Sequence, residues 1–487
     1  MAKKSVVKNY IFNLIYQLLS LVLPLVTTPY LSRVLGSEQI GIYGYTLSIV
    51  TYFVLFGSLG IAMYGQREIA YVQNNKEERS KAFFEIVLVR FITLFVSLVI
   101  FYFTFGIKGD YAIYYRIFSL YIVSNAFDIS WLYQGIEEFG KTVIRNLLVK
   151  ISSLILIFAC VKTQNDLSKY IFIFVISELL GNATMWMYLP KYIQKVKIKE
   201  LNFKVHIKPT LLLFLPQVAT QIYTVLDKTM VGLITGNMNE VGFYEQAQKV
   251  VRAALIIITA LGTVMASRIA AIYAQNKKEE VQQYLKKSFN FVWFLGLPMM
   301  FGLIVIADKF VPWFYGSGFE PVTSILIATS PILIAIGLNN VVGVQYLIQV
   351  KKQNKFTIAV TIGAISNVIF NFIFIKLFNA TGAAIASVIS EIIILLVEIW
   401  YTKNEIDLKS IFEAFPKYFI ASIVMSIMIF ICERKLDVSA INTFIEIIIG
   451  AIVYAISLIL LKDEYFLSYI NKAVSEVKKY INKIYRW

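Results

Sequence analysis

Long apolar runs alternate with short charged connections along the whole chain. A membrane-spanning helix needs roughly 20 mostly apolar residues. Runs of that size, bounded by charges, occur fourteen times: about 10–32, 40–63, 82–106, 111–134, 144–161, 169–190, 210–234, 250–272, 289–308, 323–349, 356–378, 382–402, 415–432 and 441–461. The pattern predicts an all-α integral membrane protein of about 14 transmembrane helices. Pro24, Pro216, Pro298 and Pro331 fall inside runs, where each predicts a kink with freed carbonyls that neighbours or cavity water must satisfy.

Composition removes the soluble alternative. Of 487 residues, 58% are hydrophobic and 16% charged, against about 25% charged in a typical soluble domain. The net charge of +16 does not point to nucleic acid, because Lys and Arg cluster between the apolar runs. Assigning alternate connections to alternate sides puts 29 Lys and Arg on the side of both termini and 7 on the other. Basic residues are retained in the cytoplasm, so both termini are expected there, and MAKKSVVKNY is read as leading into an uncleaved first span. Cys160 and Cys432 lie far apart in apolar runs, and no metal or disulfide framework is expected. The one histidine, His206, falls in a Lys-rich connection and is expected to be solvated. Only 462–487 exceeds about 20 residues among the connections. It carries Lys472, Lys478, Lys479, Lys483 and Arg486, which suit either an amphipathic helix on anionic lipid or a solvated helix end. With no soluble domain and minimal outer connections such as 107–110, passage across the membrane is favoured over enzymatic chemistry.

The chain also repeats. Gly36 followed by Ile40-Gly41-Ile42-Tyr43 after the first run is matched by Gly236 followed by Val241-Gly242-Phe243-Tyr244 after the seventh. Asn13, Gln17, Ser20 and Thr27 form a polar stripe on the first helix, and Gln217, Gln221, Thr224 and Lys228 form one on the seventh. A polar stripe in a membrane faces another helix or a watery cavity. These observations divide the chain into a six-helix bundle (1–200), a second six-helix bundle (201–405) and two additional helices with a basic tail (406–487), with the cavity expected between the bundles.

The stretches Pro24-Leu25-Val26-Thr27-Thr28-Pro29-Tyr30-Leu31-Ser32-Arg33-Val34-Leu35-Gly36, Asp128-Ile129-Ser130-Trp131-Leu132-Tyr133-Gln134-Gly135-Ile136-Glu137 and Leu226-Asp227-Lys228-Thr229-Met230-Val231-Gly232 resemble polysaccharide-repeat flippases of the multidrug/oligosaccharidyl-lipid/polysaccharide exporter superfamily. So does Gly242-Phe243-Tyr244-Glu245-Gln246-Ala247. The resemblance implies two bundles around a central cavity, as in the superfamily's drug exporters. Its implied substrate is an undecaprenyl-diphosphate-linked oligosaccharide, moved from the inner to the outer leaflet of a bacterial cytoplasmic membrane for surface-polysaccharide synthesis. Glycan polymerase and chain-length regulator proteins are the implied partners, besides membrane lipids. No GxxxxGK[ST] loop is present, so no nucleotide or other cofactor is expected and the drive is a proton or sodium gradient, the membrane potential or substrate supply.

A diphosphate and sugars need a polar, cation-lined path through hydrocarbon. Arg33 leads the substrate-contacting residues, because the resemblance extends to lipid II flippases in which the equivalent arginine lines the cavity. Arg90, Arg116, Arg145, Lys150 and Arg252 follow, with Gln17, Gln217, Gln221 and Thr224; Arg116 and Arg252, near the outer boundaries, also suit snorkelling anchors. Asp227, Lys228, Glu178 and Glu391 are read as charge-pairing or ion-coupling groups. Asp227 is expected to pair with an arginine and Lys228 to snorkel outward. Asp128, Trp131 and Gln134 belong to the motif without an assigned role. The competing readings are a cation-coupled drug exporter of the same superfamily, a membrane glycan polymerase or ligase, and a scaffold for glycan assembly.

Overall fold

In the computed structural model the chain is helical, with no strand among the described residues. Residues 6–468, 470 and 475 are described, apart from the side chains of 6–22, 139, 198, 212, 213, 215–224, 263, 408 and 410. In order come α1 (Val6–Ser58), α2 (Ile61–Tyr71), α3 (Lys76–Phe101), α4 (Ala112–Ala126), α5 (Ser130–Gly135), α6 (Phe139–Cys160), α7 (Leu167–Met187), α8 (Leu189–Tyr192) and α9 (Lys204–Thr235). There follow α10 (Met238–Thr259), α11 (Gly262–Tyr273), α12 (Lys278–Tyr315), α13 (Pro321–Thr329), α14 (Ile332–Asn339), a π-helical segment (Asn340–Leu347), α15 (Gln353–Thr402), α16 (Leu408–Phe412), α17 (Phe415–Glu433) and α18 (Ala440–Leu460).

Ten helical stretches among the described residues are long and apolar enough to cross a membrane. Two of them, Leu23–Tyr71 with 49 residues and Gln353–Thr402 with 50, would each run about 75 Å if straight, at about 1.5 Å per residue. That is more than twice the roughly 30 Å of hydrocarbon, so each must turn back within itself. The breaks lie at Gly36 (φ 75°, ψ 172°) in α1 and Asn379 (φ 51°, ψ −132°) in α15. Both adopt positive φ, which glycine takes freely and asparagine tolerates better than most residues. They fall between the first and second apolar runs and between the eleventh and twelfth.

The chain forms two compact units, residues 1–245 and 246–487. In the first, α2, α3 and α5 enclose a core in which Phe83, Trp131 and Tyr133 are fully buried. Phe101, Phe118 and Tyr115 of α3 and α4 form a second core with Tyr43 and Val50 of α1. In the second unit, α17 and α18 pack on one another and on α12. Trp313 Nε1 donates to Thr443 Oγ1 at 2.8 Å, and Tyr454 Oη to the Phe294 carbonyl at 2.8 Å. α18 has an inside-out polarity: Thr443, Glu446, Gly450, Tyr454 and Ser457 are buried, whereas Ile441, Phe444, Ile448, Ile452 and Leu460 are exposed. Only an apolar surrounding permits that arrangement, and the protein is a multi-pass membrane protein.

Candidate functional site

Within the first unit, polar groups from four helices form one buried network. Arg90 of α3 is 2% exposed; its Nε donates to the Asn125 carbonyl at 2.8 Å and its Nη2 lies 3.7 Å from Asp128 Oδ2. One turn before Asp128, Ser124 accepts through both its carbonyl and its hydroxyl oxygen from Asn182 Nδ2 of α7, each at 3.0 Å. Asn182 Oδ1 in turn accepts from Arg145 Nη1 of α6 at 2.9 Å, and the same nitrogen lies 3.8 Å from Glu178 Oε2. Lys150 acts electrostatically on Glu178 from one turn further along α6. The spacing explains part of the assembly: Glu178 and Asn182 are four residues apart on α7 and share a face, while Asp128 lies in the connection that follows α4. Arg90, Arg145 and Lys150 face two carboxylates, leaving one positive charge in excess among these five. Arg90 Nη1 and Arg145 Nε are buried donors without a hydrogen-bond partner. Exposure rises from Arg90 through Arg145 at 11% to Glu178 at 35%, so the open side of the network is at Glu178.

The repeated glycine motifs meet each other in the same unit. A Cβ on Gly41 would collide with the Met238 carbonyl, and a Cβ on Gly242 with the Ser37 carbonyl. The contact is reciprocal, since Ser37 and Met238 each precede their own glycine by four residues. Ser37 Oγ donates to Asn239 Oδ1 at 2.7 Å across it. Below this seam Ser48 and Thr229 share a hydrogen bond at 2.8 Å, Tyr244 Oη donates to Asp227 Oδ2 at 2.6 Å, and Lys228 Nζ pairs with Glu245 Oε2 at 2.8 Å. The expected outward snorkelling of Lys228 is therefore corrected. Lys228 is buried, 7% exposed, and salt-bridged, and Asp227 accepts a tyrosine hydroxyl. The next helix supplies both partners, which stabilises charges that are 100° apart on α9.

The remaining predicted residues lie elsewhere. Arg33 is exposed beside the break in α1 and donates to the Pro29 carbonyl at 3.2 Å. Arg116 is exposed and donates through Nε to the Gly106 carbonyl at 2.9 Å, as an interfacial anchor would. Arg252, in the second unit, is exposed. Glu391 is 7% exposed and accepts from Asn339 Nδ2 at 2.5 Å. The side chains of Gln17, Gln217, Gln221 and Thr224, and the tail residues Lys472, Lys478, Lys479, Lys483 and Arg486, lie outside the described residues. In the α5 motif Asp128 accepts from the Ser130 amide at 2.9 Å besides holding Arg90. Trp131 is fully buried, stacked on Phe83 at 5.6 Å and filling the space over Gly65, while Gln134 is half-buried. His206 is not solvated: it is 4% exposed, with Nε2 2.8 Å from Glu85 Oε2 and Nδ1 2.6 Å from Tyr64 Oη. Glu85 also accepts the Asn202 amide at 2.7 Å. The first turn of α9 is thus pinned to α2 and α3 through His206.

A family model described as "Polysaccharide biosynthesis protein" matches residues 6–266, more than half of the chain. The chain belongs to that family. A second model, "Lipid II flippase MurJ", matches residues 151–453. A "Putative O-antigen transporter" of Escherichia coli (strain K12) is 23% identical over 407 residues, covering 82% of this chain and 98% of the relative. A solved structure of lipid II flippase MurJ in an inward closed conformation superposes with a TM-score of 0.75 at 22% identity, covering 94% of this chain and all of the other. An inward-facing multidrug MATE transporter of the MOP superfamily gives 0.66 at 14% identity, with 81% and 97% covered. The fold is that of this superfamily, and the protein is a membrane transporter, not an enzyme.

Within the family's bundle, sequence reasoning missed Ser124, Asn125 and Asn182, the neutral bridges between the arginines, and Tyr244 and Glu245, the partners of Asp227 and Lys228. The four-residue spacing to Glu178 was the available signal for Asn182. Tyr244 and Glu245 stand inside the repeated motif itself.

Proposed function

We propose that the protein is a flippase that moves undecaprenyl-diphosphate-linked oligosaccharide units from the inner to the outer leaflet of the bacterial cytoplasmic membrane, by alternating access, for surface-polysaccharide assembly. The observation that carries this reading is the network of buried Arg90 and half-buried Arg145 and Lys150, with its surplus positive charge and two guanidinium nitrogens without a hydrogen-bond partner. A diphosphate is the complementary ligand: it offers several anionic oxygens, and a guanidinium bonds two at once. Glu178, the most exposed member, is the carboxylate that such an anion displaces from Arg145, while the polyprenyl chain stays in lipid. The names of the transporter and flippase relatives agree with this substrate class. Both termini face the cytoplasm in this reading, an ion gradient or the membrane potential supplies the drive, and a glycan polymerase takes up the product.

The test is complementation of a strain that lacks the protein, scored by surface polymer and by membrane abundance of each variant. Arg145→Ala abolishes polymer at normal abundance, whereas Glu178→Gln, which removes only the resident competitor, retains it. Equal activity in both variants removes the network from the substrate path.

A further inference from the structure

The second unit holds a carboxylate that the flippase reading does not use. Glu398 of α15 is fully buried, and neither carboxylate oxygen has a hydrogen-bond partner among the described residues. Its Oε1 and the ring of Phe356 occupy the space that a Cβ on Gly343 would need, so the acid lies against bare backbone of the π-helical segment and an aromatic face. Two turns earlier on the same face of α15, Glu391 is 7% exposed and held by Asn339 Nδ2 of α14.

The elements packed around this point are α13, α14 and the π-helical segment, with α11 behind that segment. Their charged and titratable groups are committed elsewhere. Tyr346 of the π-helical segment donates to Glu405 Oε2 at 2.9 Å, Lys352 and Lys355 pair with Glu405, and Arg268 of α11 donates to Tyr284 at 3.2 Å. Helices α13 and α14 carry no titratable residue, and Tyr273 is the remaining one on α11. No Lys or Arg among the described residues pairs with Glu398. An ionised carboxylate buried without a cation or donors is strongly disfavoured against its protonated form. A metal ion would need several oxygen ligands, and this one faces a ring and a glycine.

We propose that Glu398 is a proton-binding site of the second unit, holding its proton while buried and releasing it only when α15 and the π-helical segment part to admit water. Holding that proton does not depend on what the protein transports. A proton whose binding is tied to the contact between Gly343 and Glu398 is one that a transport cycle can use.

Infrared difference spectroscopy on the full-length protein in liposomes tests this. Wild type at neutral pH shows a protonated-carboxyl carbonyl band that shifts in deuterium oxide and is absent from Glu398→Gln; Glu446, a second buried acid, contributes to both spectra and cancels. Replacing sodium by choline leaves the band unchanged. Superimposable spectra of wild type and Glu398→Gln overturn the proposal, as does a band that sodium abolishes. Should Glu398→Gln misfold, Glu398→Asp serves instead, with a shifted band expected and an unshifted one contradicting the site. Loss of flipping with an intact Glu398 band would count against the flippase reading alone.

Discussion

Lys228 and Glu245 are each no more than a tenth exposed and 2.8 Å apart, so breaking the pair leaves a buried charge without its counter-ion. Lys228→Met breaks a buried ion pair and should destabilise the protein by about 3–5 kcal/mol, whereas Lys228→Met combined with Glu245→Met should recover part of that loss. Melting curves of the purified variants decide this; additive losses would show that the two side chains do not act as a pair. The glycine seam is equally specific. Gly242→Val drives a side chain into the Ser37 carbonyl, where no rotamer change gives relief, and should cost about 1–3 kcal/mol or more. Gly302→Ala, whose nearest neighbour is a methionine methyl at 4.0 Å, is the control and should melt like wild type. At this scale the sequence was partly legible. It displayed Arg90, Arg145 and Glu178 as charges inside apolar runs, but their partners are neutral or lie more than thirty residues away, as Asn125 and Asn182 do. Periodicity along one helix cannot report a contact with another. His206 was misplaced for the same reason: a Lys-rich neighbourhood signals solvent, and only the position of Glu85 on α3 shows otherwise.

The long helices turn on single residues. Asn379 holds φ at 51° inside α15, so Asn379→Gly should be neutral or mildly stabilising and Asn379→Val destabilising by about 1–3 kcal/mol; equal melting temperatures for the two would refute a backbone requirement. The end of the same helix is tied back to its start by Glu405. Burial opposes its ionisation, but the Lys352 ammonium, the Tyr346 hydroxyl and Lys355 outweigh that and hold its carboxyl below the usual range. A lowered folded value means stability that is present above the unfolded value of about 4.3 and is lost as pH falls through the folded one. At pH 7, therefore, wild type should melt above Glu405→Gln, and the difference should close below about pH 4. A gap that persists at low pH would show that charge is not its cause. The hydrophobic runs located these helices well, because burying about 20 apolar residues in lipid overrides local preference. They did not locate the turns. Prolines marked the expected kinks, yet the backbone leaves helical geometry in α1 at Gly36, beyond both Pro24 and Pro29.

For the whole molecule, the apolar exterior, the two reversals and the superfamily fold follow from one demand, that every backbone group be satisfied within the membrane. The repeat read at Gly36 and Gly236 is visible as two positive-φ glycines, at 75° and 64°, and as the reciprocal seam beside them. In the first unit, Arg90, Arg145 and Lys150 outnumber the two carboxylates they face, Asp128 and Glu178. The proposed use of that surplus charge, the passage of a diphosphate-linked oligosaccharide between leaflets, is tested most directly with purified protein in liposomes carrying undecaprenyl-diphosphate-linked oligosaccharide. The fraction of sugar open to an external glycan-cleaving enzyme reports its leaflet. With wild-type protein, lipid that starts in the protected leaflet should become accessible over time, and Arg145→Ala at equal incorporation should leave it protected. Protection that persists with folded wild-type protein, under an imposed ion gradient and membrane potential as well as without them, would contradict the account.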